Sequence, residues 1–196
     1  MASPGVSTCP IKLISGKSPF SELFFDNVKV PKENLVGELN DGWTIAKYLL
    51  THEREMIADM GTQAVSLSDS AIKEIGLNDR GVLADPILRT DIARHAIDDH
   101  AFAITLERAS DEAQTGQGMG AVSSVFKYFG TELNMKHHEL LLSIYGNQGL
   151  GWEGKAYNDG AIPRDWLRTK GNAIEGGTSE IQLNIIAKHV LDLPSA

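Results

Sequence analysis

The sequence predicts a mainly α fold, an antiparallel four-helix bundle preceded by a short β segment. Two observations carry this. Pro4, Gly5, Pro10, Gly16, Pro19, Pro31 and Gly37 punctuate the first forty residues, too many breakers for a helix of any length. Beyond residue 41, apolar residues recur at helical spacing over long stretches joined by short loops, the pattern of a bundle.

The elements follow in order. CPIKLI (9–14) and SELFFDNVKV (21–30) are β-branched and aromatic runs bounded by turn signals, which predicts strands of about 5 to 6 residues. Two or three such strands make a marginal sheet alone. The segment therefore packs on the helices that follow or belongs to a sheet completed elsewhere. Asn40 or Asp41 is placed to cap one long helix from Gly42 to about Gly76. Ala46, Leu50, Ile57, Met60 and Ala64 share one face of it, and Glu53 falls in the gap of that stripe, three residues after Leu50 and four before Ile57. A carboxylate there either pairs with a Lys or Arg at the core edge or faces a pocket, where desolvation raises its pKa and makes it a usable base. His52, Arg54 and Glu55 read as the solvated face, with Arg54 placed to orient Glu53 or a ligand.

GLNDRGVLA (76–84) is a loop. Asp85 caps a helix with Pro86 at its first position, running to roughly Gln114, and TGQGMG breaks it. A third helix is predicted from Ala121 to about Tyr145, with Val122, Val125, Phe126, Phe129, Leu133 and Leu140–Ile144 as its buried side. Its adjacent His137 and His138 point roughly 100° apart and do not readily share a metal; they read as surface or satisfied histidines. GNQGLGWEG (146–154) is a glycine-rich loop and IPRDWLRTKG (162–171) a short helix before the terminal one. In AIEGGTSEIQLNII (173–186), Thr178 or Ser179 is the N-cap, and the Ser179, Gln182 spacing makes a capping box. Gly176 and Gly177 then leave the N–H groups of that helix start open to a phosphate or pyrophosphate.

The chain has 196 residues, 42% hydrophobic and 22% charged, enough for one large domain or a large one plus a small one. A net charge of −8 argues against non-specific nucleic-acid binding. Cys9, the single cysteine, rules out an intramolecular disulfide and a thiolate zinc cluster, and no other metal site is predicted. No stretch approaches the roughly 18 apolar residues of a membrane span, and MASPGVST lacks a signal-peptide core, so the chain reads as cytoplasmic.

GGTSEIQLNIIAKHVLDLP (176–194) resembles the C-terminal signature of the flavin-dependent acyl-CoA dehydrogenase family. FFDNVKVP (24–31) and LVGELNDGW (35–43) resemble the end of that family's middle β-domain and its exit into the helical domain. The resemblance implies that residues 1–40 are the end of a middle β-domain, a remnant of a β-barrel-like fold, and that 41–196 form the C-terminal bundle. It covers only about the C-terminal half of a family member; the N-terminal helical domain and the first part of the β-domain are expected to be missing.

The family resemblance implies FAD as cofactor and oxidation of an acyl-CoA to its trans-2-enoyl thioester, a glutamate taking the pro-R α-proton while the β-hydride goes to flavin N5. In the medium-chain type that base directly precedes the Gly-Thr of the terminal motif, where this chain has Gly176; Glu175 is one residue early and is the runner-up. The isovaleryl and long-chain types, which this sequence resembles instead, carry the base on the first long helix before an arginine. That matches Glu53 followed by Arg54, with Leu50 and Arg54 as substrate contacts. Gly176, Gly177, Thr178 and Glu180 match positions that approach FAD, and Tyr145–Gly149, with Gly146 and Gly149, resembles a loop that contacts the FAD of a neighbouring subunit. The arginine that grips the pyrophosphate has only Arg80 as a weak substitute. Electron transfer flavoprotein as oxidant and a homo- or hetero-oligomer, a dimer of dimers, are implied as partners; the alternative is a non-catalytic partner subunit or a truncated fragment of a heteromeric enzyme.

Overall fold

The computed structural model describes residues 3–58, 65–114 and 120–194, with side chains described except at 51–58 and 114. It divides into two compact units, one up to His52 and one from Glu53 on.

The first unit opens on a hairpin. β1 (Val6–Ile11) and β2 (Phe20–Phe25) pair antiparallel, from Val6 opposite Phe25 to Ile11 opposite Phe20. Pro10 lies in β1, and a proline, having no N–H to give, belongs on a strand with an unpaired side. Two short strands form as predicted, but β1 starts and ends three residues ahead of the CPIKLI run, while β2 covers the first half of SELFFDNVKV. Ile11, Phe20, Leu23, Phe24 and Phe25 are exposed, so the hairpin buries little of its apolar surface. A 3₁₀ turn (Lys32–Asn34) leads to α1 (Gly42–Ala58). Asp41 stands immediately before α1, and its carbonyl accepts from Thr44 and Ile45 N–H at 3.1 and 3.3 Å.

The single helix predicted over 42–76 is two. α2 (Leu67–Glu74) starts afresh at Ser66, whose backbone is non-helical (φ −57°, ψ 119°) and whose hydroxyl accepts from Asp69 N–H at 3.2 Å. Ser66 supplies the cap that a new helix start requires. Met60 and Ala64 of the predicted stripe lie outside the described residues.

The remaining helices match their predicted extents closely. Loop 76–84 is closed by a bridge between Leu77 and Leu83, and Asn78 Oδ1 accepts from Arg80 and Val82 N–H. Asp85 Oδ1 caps α3 (Pro86–Gln114) by accepting from Ile87 and Leu88 N–H, both at 2.9 Å. A 3₁₀ turn (Gly120–Val122) precedes α4 (Ser123–Tyr145); α5 (Ala161–Thr169) and α6 (Ser179–His189) follow. α4 is the hub of this unit, packing on α2, α3, α5 and α6. Leu67 and Ala71 of α2, Leu83 of the 76–84 loop, Leu88 and Ile92 of α3, and Leu140, Leu141 and Ile144 of α4 form its core. Phe102 stacks beside Phe126 and Phe129, an approach that Gly130 permits, since a Cβ there would lie 2.9 Å from the Phe102 ring. No helix among the described residues is long and apolar enough to cross a membrane.

Candidate functional site at the start of α6

The glycine-rich approach to α6 is set by a chain of short-range bonds. α5 gives way to a 3₁₀ turn (Lys170–Ala173), and Gly171 O accepts from both Ile174 and Glu175 N–H at 3.0 Å. Thr178 is the N-cap of α6: its backbone is extended (φ −61°, ψ 156°) and Oγ1 accepts from Ile181 N–H at 3.3 Å. The third helical position is therefore Ile181, and the capping box predicted between Ser179 and Gln182 does not form. Gln182 is buried instead, at 1% exposure, and its Nε2 donates to Gly176 O at 3.0 Å while its Oε1 has no hydrogen-bond partner among the described residues. Gly177 lies at φ +96°, and a Cβ there would stand 2.5 Å from Gln182 Nε2. Both the backbone conformation and the packing call for glycine.

Glu175 is committed to its neighbours. Arg168 donates to it twice, Nη1 to Oε1 at 3.2 Å and Nη2 to Oε2 at 3.0 Å, in the fork geometry that makes such pairs strong. Asn172 Nδ2 also donates to Oε1. Asn172 is in turn held by α4: Asn134 Nδ2 donates to its Oδ1 at 2.8 Å, and Lys127 Nζ to its carbonyl at 3.0 Å. Lys127 is completely buried. Burial pushes its pKa down, opposed by the carboxylates of Glu175, Glu132 and Glu180.

The open edge of the site is acidic. The Glu180 carboxyl is held below the usual range by a hydrogen bond with its own backbone amide and a second with the Thr178 side chain. Ser179 Oγ donates to Glu132 Oε1 at 3.4 Å, and Gln182 N–H is taken by Thr178 O at 2.9 Å. The first amides of α6 are thus largely used by the protein, and a carboxylate stands at the positive end of the helix. That donor set does not suit a pyrophosphate. It suits hydroxyl groups, which donate to Glu180 and lie against the bare backbone of Gly176 and Gly177.

The other predicted residues lie elsewhere. Gly146 (φ +51°) ends α4, its N–H donating to Leu142 O, and buried Gly149 sits against Tyr145 and Leu142. At 1.5 Å per residue this loop is about 27 Å along α4 from Lys127, so the two glycine groups occupy opposite ends of one helix. Leu50 is 40% exposed. Glu53 and Arg54 fall on the α1 backbone, but their side chains lie outside the described residues. Arg80 is exposed in the 76–84 loop.

Two cavities flank α4. One, of about 680 Å³, is lined by His95, Asp99 and Phe102 of α3 and by Asn134 and His137 of α4; the other, of about 830 Å³, by His138, Tyr145, Gln148, Lys155 and Tyr157 among others. His137 corrects the sequence reading: it is buried, its ring 5.5 Å from that of His95, and His137 Nε2 and His95 Nδ1 have no hydrogen-bond partner among the described residues. Burial, then the neighbouring His138 and His95, push the His137 pKa down to about 4. His138 is the satisfied one, its Nδ1 2.9 Å from Asn134 O.

Lys127, Asn134, Arg168, Asn172 and His95 were not among the predicted site residues. The first two had a readable signal: Lys127, Thr131, Asn134 and His138 form a polar stripe at helical spacing along α4. His95 had none, because its partner lies 42 residues away.

Residues 40–191 match the model of the acyl-CoA dehydrogenase C-terminal domain. The chain is 33% identical over 194 residues to the acyl-CoA dehydrogenase FadE34 of Mycobacterium tuberculosis, covering 99% of this chain and 26% of that one. Among solved structures, it superposes on the Tcur3481-Tcur3483 steroid ACAD with a TM-score of 0.85 at 26% identity, over 99% of this chain and 50% of that one. It superposes on the ChsE4-ChsE5 complex from Mycobacterium tuberculosis with a TM-score of 0.71 at 25% identity, again over 99% and 50%. The chain thus spans half or less of the length of these relatives.

Proposed function

From the premise that this chain belongs to the acyl-CoA dehydrogenase family, we propose that it forms the C-terminal helical part of an FAD-dependent enzyme that oxidises an acyl-CoA to the trans-2-enoyl-CoA, with Glu53 as the base. The observation that carries the choice of base is the state of its competitor. Glu175 accepts two bonds from Arg168 and a third from Asn172, which leave it fixed to the wall of its own turn. A base must be free to reach the α-proton and gains basicity from desolvation. Glu53 falls, by sequence spacing, in the gap of the apolar stripe predicted along α1, a setting that would supply that gain, and Arg54 follows it.

The dinucleotide fits this chain in part. Gly176, Gly177, Thr178 and Glu180 would hold its hydroxyl-bearing portion, and Gly146 and Gly149, at the far end of α4, would serve a second copy of the cofactor bound by a neighbouring subunit. When bound, a flavin accepts the hydride that leaves the β-carbon. The pyrophosphate needs cationic groups beyond this site, since Arg168 is held by Glu175 and the edge of α6 is acidic. That need favours an oligomer, homomeric or heteromeric, and the ChsE4-ChsE5 complex is a relative that assembles from different chains. Electron transfer flavoprotein is the proposed oxidant. In the complete enzyme, Glu53→Gln should lower turnover by at least about 100-fold with flavin still bound, whereas Glu175→Gln should lower thermal stability and keep turnover. The reverse pattern rejects the assignment.

A further inference from the structure

The geometry points to Lys127 and Asn134 as positioning residues that fix the Asn172–Thr178 segment, and with it the bare backbone of Gly176 and Gly177, against α4. The two side chains are seven residues apart, two turns on one face of α4, and both end on Asn172. Asn134 holds its side-chain oxygen at 2.8 Å, and Lys127 holds its backbone carbonyl at 3.0 Å. Asn172 passes the constraint to Glu175, and Arg168 closes the ring from α5. Gly171 fits beneath it, where a Cβ would meet Arg168 Nη1 at 3.1 Å.

A fully buried ammonium is costly unless its bonds matter, and Lys127 reaches no carboxylate by a direct ion pair among the described residues. Its hydrogen bond goes to main chain. Glu175, Glu132 and Glu180 surround it at longer range, so the charge acts on the whole turn and is not spent on one acid. The arrangement stiffens a backbone that lacks side chains to stiffen itself. Its functional meaning, that the stiffened turn faces the cofactor, rests on the reading above; the positioning itself does not.

Amide hydrogen exchange on the purified chain tests the two claims separately. Lys127→Met, which keeps the packing and removes the charge, should speed exchange of the Ile174, Glu175 and Ile181 amides tenfold or more while the amides of α3 keep their wild-type rates. Lys127→Arg, retaining a charged donor, should restore most of that protection. Asn134→Ala should give the same local pattern at about threefold, and it decides the matter should Lys127→Met fail to fold. Equal rates at these amides in Asn134→Ala and in a folded Lys127→Met overturn the proposal, as does acceleration spread evenly over α3 and α6. FAD titration followed by flavin fluorescence is the second readout. A wild-type chain that binds FAD should lose about tenfold in affinity in Lys127→Met. A wild-type chain that takes up no FAD leaves the cofactor reading without support, while the exchange ratios still decide the positioning.

Discussion

Lys127 and His137 stand ten residues apart on α4, 0% and 8% exposed, and α4 deals with them in opposite ways. At Lys127 the neighbouring turn supplies a carbonyl, and three carboxylates supply a compensating field. At His137 the surroundings are Phe102, Leu133, the His95 and His138 imidazoles and the opposing charge of Asp99, and Nε2 has no hydrogen-bond partner among the described residues. Desolvation is the first influence on both. Where several carboxylates and a backbone carbonyl are near, a cation can be kept inside and made to hold a backbone; where Asp99 is set against burial and two neighbouring imidazoles, the group has to be one that sheds its proton at ordinary pH. Asn134 lies between the two regimes, bonded to Asn172 on one side and lining the His95–His137 cavity on the other.

The sharpest way to break the contrast is to reverse the charge at the compensated position. Lys127→Glu would place a fourth carboxylate in the field of Glu175, Glu132 and Glu180, at a cost of about 3–5 kcal/mol, a large fraction of the stability of an ordinary domain. Chemical denaturation should find the midpoint of the variant strongly lowered.

Acid probes the less compensated position. The folded-state pKa of His137 lies below the ordinary 6.5, near 4, so the folded state resists protonation and the unfolded state does not. Stability is full above about pH 6.5, falls as the pH drops toward 4 and levels below that. The loss from this residue is at most about 3 kcal/mol. His95, also lowered by burial and facing Asp99, Asp98 and Lys136, adds in the same direction. Denaturation midpoints measured from pH 7 to 4 should show a shallower decline in His137→Phe than in wild type; equal slopes would mean that the pair is solvated in solution.

The smallest effect tests how closely the ring at Glu175 is packed. Gly171→Ala asks Arg168 to move by a few tenths of an ångström and should cost no more than about 1 kcal/mol, read as a small fall in melting temperature with the midpoint's acid dependence unchanged.

The elements whose ends carry their own chemistry were readable from the sequence. Asp85 and Pro86 start α3 where predicted, and Thr178 starts α6. The break between α1 and α2 was written just as locally, in Ser66 followed by Asp69, but the apolar stripe running past it suggested one helix. Hydrophobic periodicity says which face is buried and is silent on whether the backbone stops and starts along that face. The ring at Glu175 was harder to foresee. Its links from α4 to the 170–173 turn join residues 38 to 45 positions apart, and polar side chains do not reveal such partners by spacing. The resemblance to a known family directed attention to Glu175–Glu180 and left out the lysine beneath them.

Lys127 grips Asn172 by its main-chain oxygen, an atom that every amino acid carries. Drift at position 172 can therefore alter the branch through Asn134 and Glu175 while leaving the lysine's hold intact. The clamp has one link that depends on sequence and one that does not, and a lineage could exchange the first without first having to abandon the second.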